Sequence, residues 1–401
     1  MKINKSDKGE LIELYKIKLL NNISDVIYTH LSPDSYQITD SIDESHGILV
    51  RSANMHDIDL PSNLLGIARA GAGVNNIPLE KCTEQGIVVF NTPGANANAV
   101  KELVLCVLFL TSRNIIQGIE WVKSLKGKGD EIPKLIEKGK SSFTGPEIAG
   151  KKLGVIGLGA IGAKVANAAQ AIGMEVFGYD PYLSVSGAWS LSRAVHRAES
   201  LDALLAESDY ITLHIPLMQD TKNFINKDTF SKMKKGVRLL NFSRGELVHT
   251  GDLLDALNNG IVSKYATDFP NDVLLDHENV IPIPHLGAST PESEENCALM
   301  ASYQLKYYIE TGNIINSVNF PHCEMPKTNH HRITVAHRNI PNMVGQIASA
   351  LAASDINIAN MMNKSKKDAA YTIIDIDGVI SENELQRISS INGVIKVRAI
   401  Y

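Results

Sequence analysis

Three side chains with the types that acid–base and anion chemistry needs each follow an apolar run of strand length. Arg244 follows Arg238-Leu-Leu-Asn-Phe242, Asp268 follows Ser263-Lys-Tyr-Ala-Thr267, and His285 follows Val280-Ile-Pro-Ile283. A polar side chain at each of several successive strand ends is the layout of an active site. Taking a hydride from a hydroxy acid needs a base for the hydroxyl proton, a cation on the carboxylate and nascent carbonyl, and an acid to orient the base. His285 suits the first role because imidazole changes charge near neutral pH. Arg244 suits the second because a guanidinium forks onto a carboxylate, and Asp272 suits the third.

The hydride needs an acceptor. In Lys152-Leu-Gly-Val-Ile-Gly-Leu-Gly-Ala-Ile-Gly162 a short apolar strand runs into the spacing Gly157-x-Gly159-x-x-Gly162, and a helix pattern continues to Ile172. Gly157 permits the tight turn, Gly159 lets the backbone approach a pyrophosphate, and Gly162 lets helix and strand pack closely. The helix N-terminus offers free N–H groups to the anion. A second strand, Glu175-Val-Phe-Gly-Tyr179, ends in Asp180, placed to accept hydrogen bonds from ribose hydroxyls. Pro181 and Tyr182 follow, with no arginine for a 2′-phosphate, so the expected cofactor is NAD rather than NADP. No spacing suggests a metal site.

At 401 residues and 44% hydrophobic content the chain is too long for one core, and two or three domains are expected. A net charge of −5 with scattered Lys and Arg argues against a nucleic-acid track or a membrane-surface patch. The longest apolar run, Leu103 to Leu110, is far too short to span a bilayer, and the polar first residues contain no signal core, so a cytoplasmic protein is expected. Four cysteines without a CxxC pair read as reduced thiols.

The first dozen residues read as a loosely attached extension. From Tyr15, strand patterns recur: Gly47-Ile-Leu-Val50 runs into Arg51 and Ser52, Gly66-Ile-Ala-Arg69 into the loop of Gly71, Ala72, Gly73, Val74 and Asn75, and Gly86-Ile-Val-Val-Phe90 into Thr92. Strands separated by helix-length segments imply a parallel sheet whose ligands gather at the strands' carboxyl ends. A helix is expected from Asn98 to about Leu125, then a solvated segment from Lys123 to Lys140, and a further helix from Thr290 to Thr311. The expected domains are 1–97 with 290–326 for substrate, 98–289 for the dinucleotide, and 331–401. The last has the order βαββαβ, a ferredoxin-like split unit. The expected class is α/β: two Rossmann-like doubly wound parallel-sheet domains plus this α+β domain.

Asn241-Phe-Ser-Arg-Gly245, Pro284-His-Leu-Gly-Ala-Ser-Thr-Pro291, the glycine fingerprint and Asn91-Thr-Pro-Gly-Ala-Asn96 together resemble the D-2-hydroxyacid dehydrogenase family. Arg69-Ala-Gly-Ala-Gly-Val-Asn-Asn76 and the C-terminal unit are similar to the branch of that family that ends in an ACT domain. This branch oxidises 3-phospho-D-glycerate to 3-phosphohydroxypyruvate, the first step of L-serine biosynthesis. The resemblance covers nearly everything after Tyr15. It implies Arg244, an acid at Asp272 (the family has Glu) and His285 as the catalytic set. The cofactor residues it implies are Gly157, Gly159, Ala160, Ile161, Gly162, Asp180, His214, Pro216, Thr221 and Asp268, the last on the nicotinamide carboxamide. It further implies a carboxylate-binding loop at Gly71 to Asn75 and a phosphate-contacting Arg51; Lys140 is a second, weaker phosphate candidate, one that would reach a neighbouring subunit's site.

His337, Asn339 and Asn357 resemble the ACT pattern that binds L-serine at the seam between two copies, with Asn342 where the family has a small residue. That implies a serine effector and a homodimer or homotetramer. Two other readings remain: a glyoxylate or hydroxypyruvate reductase on the same scaffold, and a non-catalytic NAD-sensing protein.

Overall fold

The computed structural model describes residues 4–5, 11–12 and 14–400. Most of the expected N-terminal extension lies outside the described residues; within it, β1 (Asn4–Lys5) and β2 (Leu11–Ile12) pair antiparallel. The chain divides into two compact units, Met1–Ala95 with Glu294–Tyr401 and Asn96–Ser293.

The first unit begins with β3 (Tyr15–Leu20), β4 (Tyr36–Thr39), β5 (Gly47–Val50), β6 (Gly66–Arg69) and β7 (Val88–Phe90), a parallel sheet in the order β4-β3-β5-β6-β7. β5 and β7 are buried throughout, as continuous apolar runs in a parallel sheet should be. The long helix Pro291–Thr311 packs against this sheet at Leu305. A methyl group at Gly47 would come within 2.9 Å of Leu305, so the small residue permits the close approach.

The second unit holds β8 (Lys152–Ile156), β9 (Glu175–Tyr179), β10 (Val195–Arg197), β11 (Tyr210–Leu213), β12 (Val237–Asn241), β13 (Val262–Thr267) and β14 (Val280–Pro282). All pair in parallel, in the order β10-β9-β8-β11-β12-β13-β14. The order reverses between β8 and β11, the switch point at which such sheets bind ligands. The single helix expected over 98–125 is instead two, Ala97–Ser112 and Ile115–Ser124. Thr111 and Ser112 turn their hydroxyls back onto Val107 and Leu108 carbonyls, and Arg113 is extended, which ends the first helix.

The C-terminal sheet comprises β15 (His331–Arg338), β16 (Ile358–Lys366), β17 (Ala369–Ile376) and β18 (Val394–Ile400), antiparallel in the order β16-β17-β15-β18. With helices Met343–Ala352 and Glu382–Ser389 it forms the expected βαββαβ unit. One face of the sheet packs on those helices through Ile333, Val335, Ile374 and Ile376. From the other, Ala336, Tyr371 and Ile373 enter the core that holds Phe90, Leu305, Tyr308 and Phe320. Residues 331–401 therefore belong to the first compact unit rather than standing apart.

Polar contacts reinforce that junction. Buried Arg332 pairs with buried Asp375 (Nε to Oδ1, 2.7 Å) and donates to the carbonyls of Thr311, Met325 and Pro326. Arg398 donates to Ile309 O and Tyr371 to Gly312 O, so carbonyls that the end of the long helix would leave unpaired are satisfied by the sheet. Lys396 donates to Ser62 O and Leu64 O. Among the described residues no helix is long and apolar enough to cross a membrane.

Candidate active site

The fingerprint glycines sit where the fold needs them. Gly157 turns the chain out of β8 at φ +90°, and a Cβ there would lie 2.6 Å from His214 O. A Cβ on Gly162 would collide with Gly157 O, while one on Gly159 meets nothing within 4 Å. Gly159 thus opens onto free space at the N-terminus of helix Ala160–Ala171, the space a pyrophosphate would fill. Ile161 and Gly162 lie in the first turn of that helix.

Beside it lies a cleft of about 560 Å³ lined by Gly159, Ala160, Lys164, Asp180, Tyr182 and Ser186. Asp180 is fixed at the end of β9 by the amides of Leu158 (2.8 Å) and Tyr182 (2.9 Å). After β11, His214 pairs Nε2 with Thr212 Oγ1, while Nδ1 is buried without a partner. Burial pushes this imidazole down to about 4, so it is neutral at physiological pH. Thr221 ties the following loop by donating to Pro216 O and accepting from Met218 N. Free space at the helix N-terminus, an acid fixed at the end of β9 and an unsatisfied ring nitrogen fit a dinucleotide.

The carboxyl ends of β12, β13 and β14 bring the reactive side chains together. Buried Asn241 accepts from Ser243 N and donates to Arg244 O, and Ser243 donates to Leu213 O, which shapes the turn that presents Arg244. Arg244 is exposed and its guanidinium lies 5.9 Å from the centre of the Phe269 ring. Phe269 also meets His285, with ring centroids 4.7 Å apart and planes at 82°. Phe269, which carries no polar signal in the sequence, is therefore packed by both the cation and the imidazole. Gly245 allows this: a Cβ there would lie 3.2 Å from Phe269 Cβ.

The acid beside the imidazole differs from expectation. Asp268 Oδ2 lies 3.8 Å from His285 Nδ1, and Asp268 is only 4% exposed. Asp272 makes no ion pair or hydrogen bond with His285: it starts the one-turn helix Asp272–Leu275 and faces solvent. Burial raises the Asp268 carboxyl above its ordinary range, opposed first by His285 and then by Arg244.

The remaining candidates lie on the other unit. Arg51 follows β5 and is paired with Glu294 (2.6 Å); Ser52 N donates to Asn21 Oδ1. The loop after β6 is braced by Asn91 on Ala72 O, His56 on Asn75 O and Thr92 N on Gly71 O. Among the described residues no acceptor meets the amides of Gly73, Val74 or Asn75. Lys140 is exposed and pairs with Glu137.

The three effector candidates do not converge within one copy. His337 is 2% exposed, with Nδ1 on Arg338 O and Nε2 against Thr372 Oγ1 and Asn363 Oδ1, so its sheet already occupies both ring nitrogens. Asn339 bonds Lys367 O beyond one end of β15, whereas Asn357 bonds Asp377 beyond the other. Asn342 is left-handed (φ +63°), and its side chain crowds Gly345.

Residues 105–287 match the family described as D-isomer specific 2-hydroxyacid dehydrogenase, NAD binding domain. The chain belongs to the D-isomer-specific 2-hydroxyacid dehydrogenase family and carries its NAD-binding domain. Among its relatives, the D-3-phosphoglycerate dehydrogenase of Escherichia coli is 31% identical across 98% of this chain and 97% of that protein. The Bacillus subtilis enzyme of the same name is 32% identical across 90% of this chain, which spans 66% of that longer relative. Of solved structures, the NAD+-bound 3-phosphoglycerate dehydrogenase of Entamoeba histolytica superposes with a TM-score of 0.59 at 25% identity, covering 77% of this chain and 99% of that one.

Proposed function

We propose that this protein oxidises 3-phospho-D-glycerate to 3-phosphohydroxypyruvate with NAD, the first step of L-serine biosynthesis. The observation that carries this reading is the placement of Arg244 and His285, both against the Phe269 ring, at the carboxyl ends of β12 and β14 in the NAD-binding sheet. Gly157, Gly159, the helix from Ala160 and Asp180 hold the dinucleotide, with Asp268 and His214 toward its nicotinamide end. When bound, NAD supplies the hydride acceptor. His285 takes the hydroxyl proton, and Arg244 holds the carboxylate and the oxygen that becomes a carbonyl. The unpaired amides of Gly73 to Asn75 support the loop as the carboxylate grip.

Residues 1–97 with 290–326 serve as the substrate domain, 98–289 as the cofactor domain, and 331–401 as an ACT domain. Exposed Ile115, Ile119 and Val122, on one face of helix Ile115–Ser124, support a homodimer or homotetramer. Exposed Asn339 and Asn357, on opposite ends of the C-terminal sheet, support serine binding between two copies rather than within one. The four unbridged cysteines fit a cytoplasmic setting.

One observation favours an unphosphorylated hydroxy acid instead: Arg51, the phosphate candidate, already holds Glu294. NAD reduction measured with 3-phospho-D-glycerate, D-glycerate and D-lactate, in wild type and Arg51→Ala, separates the two. The expected outcome is a preference for the phosphorylated acid of about a hundredfold or more in kcat/KM, lost selectively in the variant. Equal turnover of D-glycerate and its phosphate, or an equal loss for both, assigns the site to unphosphorylated acids.

A further inference from the structure

The family resemblance places the orienting acid at residue 272, yet the side chains of this molecule are arranged otherwise. Between β13 and the one-turn helix at Asp272–Leu275 the chain has only Asp268, Phe269, Pro270 and Asn271. That short connection carries Asp272 outward, where its carboxylate is exposed and meets neither His285 nor Arg244. Asp268, by contrast, is held at the buried end of β13, with Oδ2 toward His285 Nδ1 and Oδ1 buried without a partner. Phe269 packs against the imidazole with the two ring planes nearly perpendicular, 4.7 Å between centroids.

We infer that Asp268, rather than Asp272, is the positioning carboxylate for His285. This rests on the reading of His285 as the base. With Nδ1 facing Asp268, Nε2 is the nitrogen left to accept the substrate's hydroxyl proton, and the buried carboxylate stabilises the imidazolium that results. At 3.8 Å the two groups are within reach of an ion pair but beyond a hydrogen bond. The charged groups acting on Asp268 are His285 and Arg244, and the buried Tyr265 hydroxyl also feels its charge; among the described residues Asp268 is the one carboxylate within ion-pair distance of His285. A single acid thereby serves both the imidazole and the nicotinamide end of the cofactor site, and Asp272 is released from catalysis.

The test compares Asp268→Asn, Asp268→Glu and Asp272→Asn. One measurement is the pH dependence of kcat/KM for NAD reduction. The other, made on the free enzyme, is the pH dependence of His285 acylation by diethyl pyrocarbonate, followed by peptide mass. In Asp268→Asn the acylation midpoint and the acid limb of the rate profile should move together to lower pH by roughly one to three units, the effect of removing a nearby opposite charge. Turnover should fall by about a hundredfold or more, with partial recovery in Asp268→Glu. Asp272→Asn should leave both curves in place.

A midpoint moved by Asp272→Asn, or left in place by Asp268→Asn with only the KM for NAD raised, overturns the assignment. Should Asp268→Asn not fold, the Asp272→Asn midpoint still decides: unmoved supports the inference and moved sinks it. The acylation curve uses no substrate, so its outcome stands apart from any error in naming the hydroxy acid.

Discussion

Gly159 and Gly162 are three residues apart, and each is required for a different reason. A methyl at 162 collides with Gly157 O inside the folded protein, so Gly162→Ala should destabilise by about 1–3 kcal/mol in urea unfolding. A methyl at 159 meets nothing, so Gly159→Ala should unfold within about 0.5 kcal/mol of wild type. NAD titration should nevertheless find that variant weakened about tenfold or more, since the methyl occupies the pyrophosphate's space. Equal NAD affinity in Gly159→Ala would remove the pyrophosphate from that spot. These glycines could be read from sequence because spacing alone encodes their geometry. The acid beside His285 could not: Asp268 and Asp272 are both acids near the end of one strand, and only the path of the three residues between them decides which stays buried. Likewise nothing in His337-Arg-Asn339 reveals that Thr372 and Asn363, far along the chain, enclose the histidine.

At the scale of elements, the interior strands were evident because burial on both faces requires unbroken apolar runs, whereas β4 (Tyr-Gln-Ile-Thr) and β10 (Val-His-Arg) were not. Both are outermost in their sheets and so tolerate polar residues that erase the pattern. β18 is also an edge strand, but it lies against the first sheet's loops through Lys396. Burial, helped by Arg398, pushes this ammonium down to about 8. Its folded value lies below the unfolded one of about 10.4, so the unfolded chain binds more protons between those values and stability rises with pH there. Wild type should therefore gain Tm relative to Lys396→Met as pH goes from about 7.5 to 10. Parallel Tm curves across that window would show that the lysine is not desolvated at this junction.

At the scale of the molecule, the order of strands and helices in the C-terminal stretch could be read from periodicity, but its sharing of one core with the first sheet could not. The apolar side chains of β15 and β17 alternate toward both faces, and a sequence cannot say that the second face meets Tyr308 and Phe320 rather than water. A chain ending at Pro326 would lose Ala336, Ala369, Tyr371 and Ile373 from that core and leave Tyr308, Phe320 and Cys323 uncovered. Such a truncation should aggregate or melt well below the full chain by calorimetry, and an unchanged melting profile would show the C-terminal sheet to be a detachable module. The same junction has a mechanical consequence. The helix Pro291–Thr311 is an unbroken shaft about 30 Å long, and Arg332, Arg398 and Tyr371 grip it where it ends. Any molecule that displaces the C-terminal sheet therefore pulls on the end of that shaft through three separate side-chain anchors.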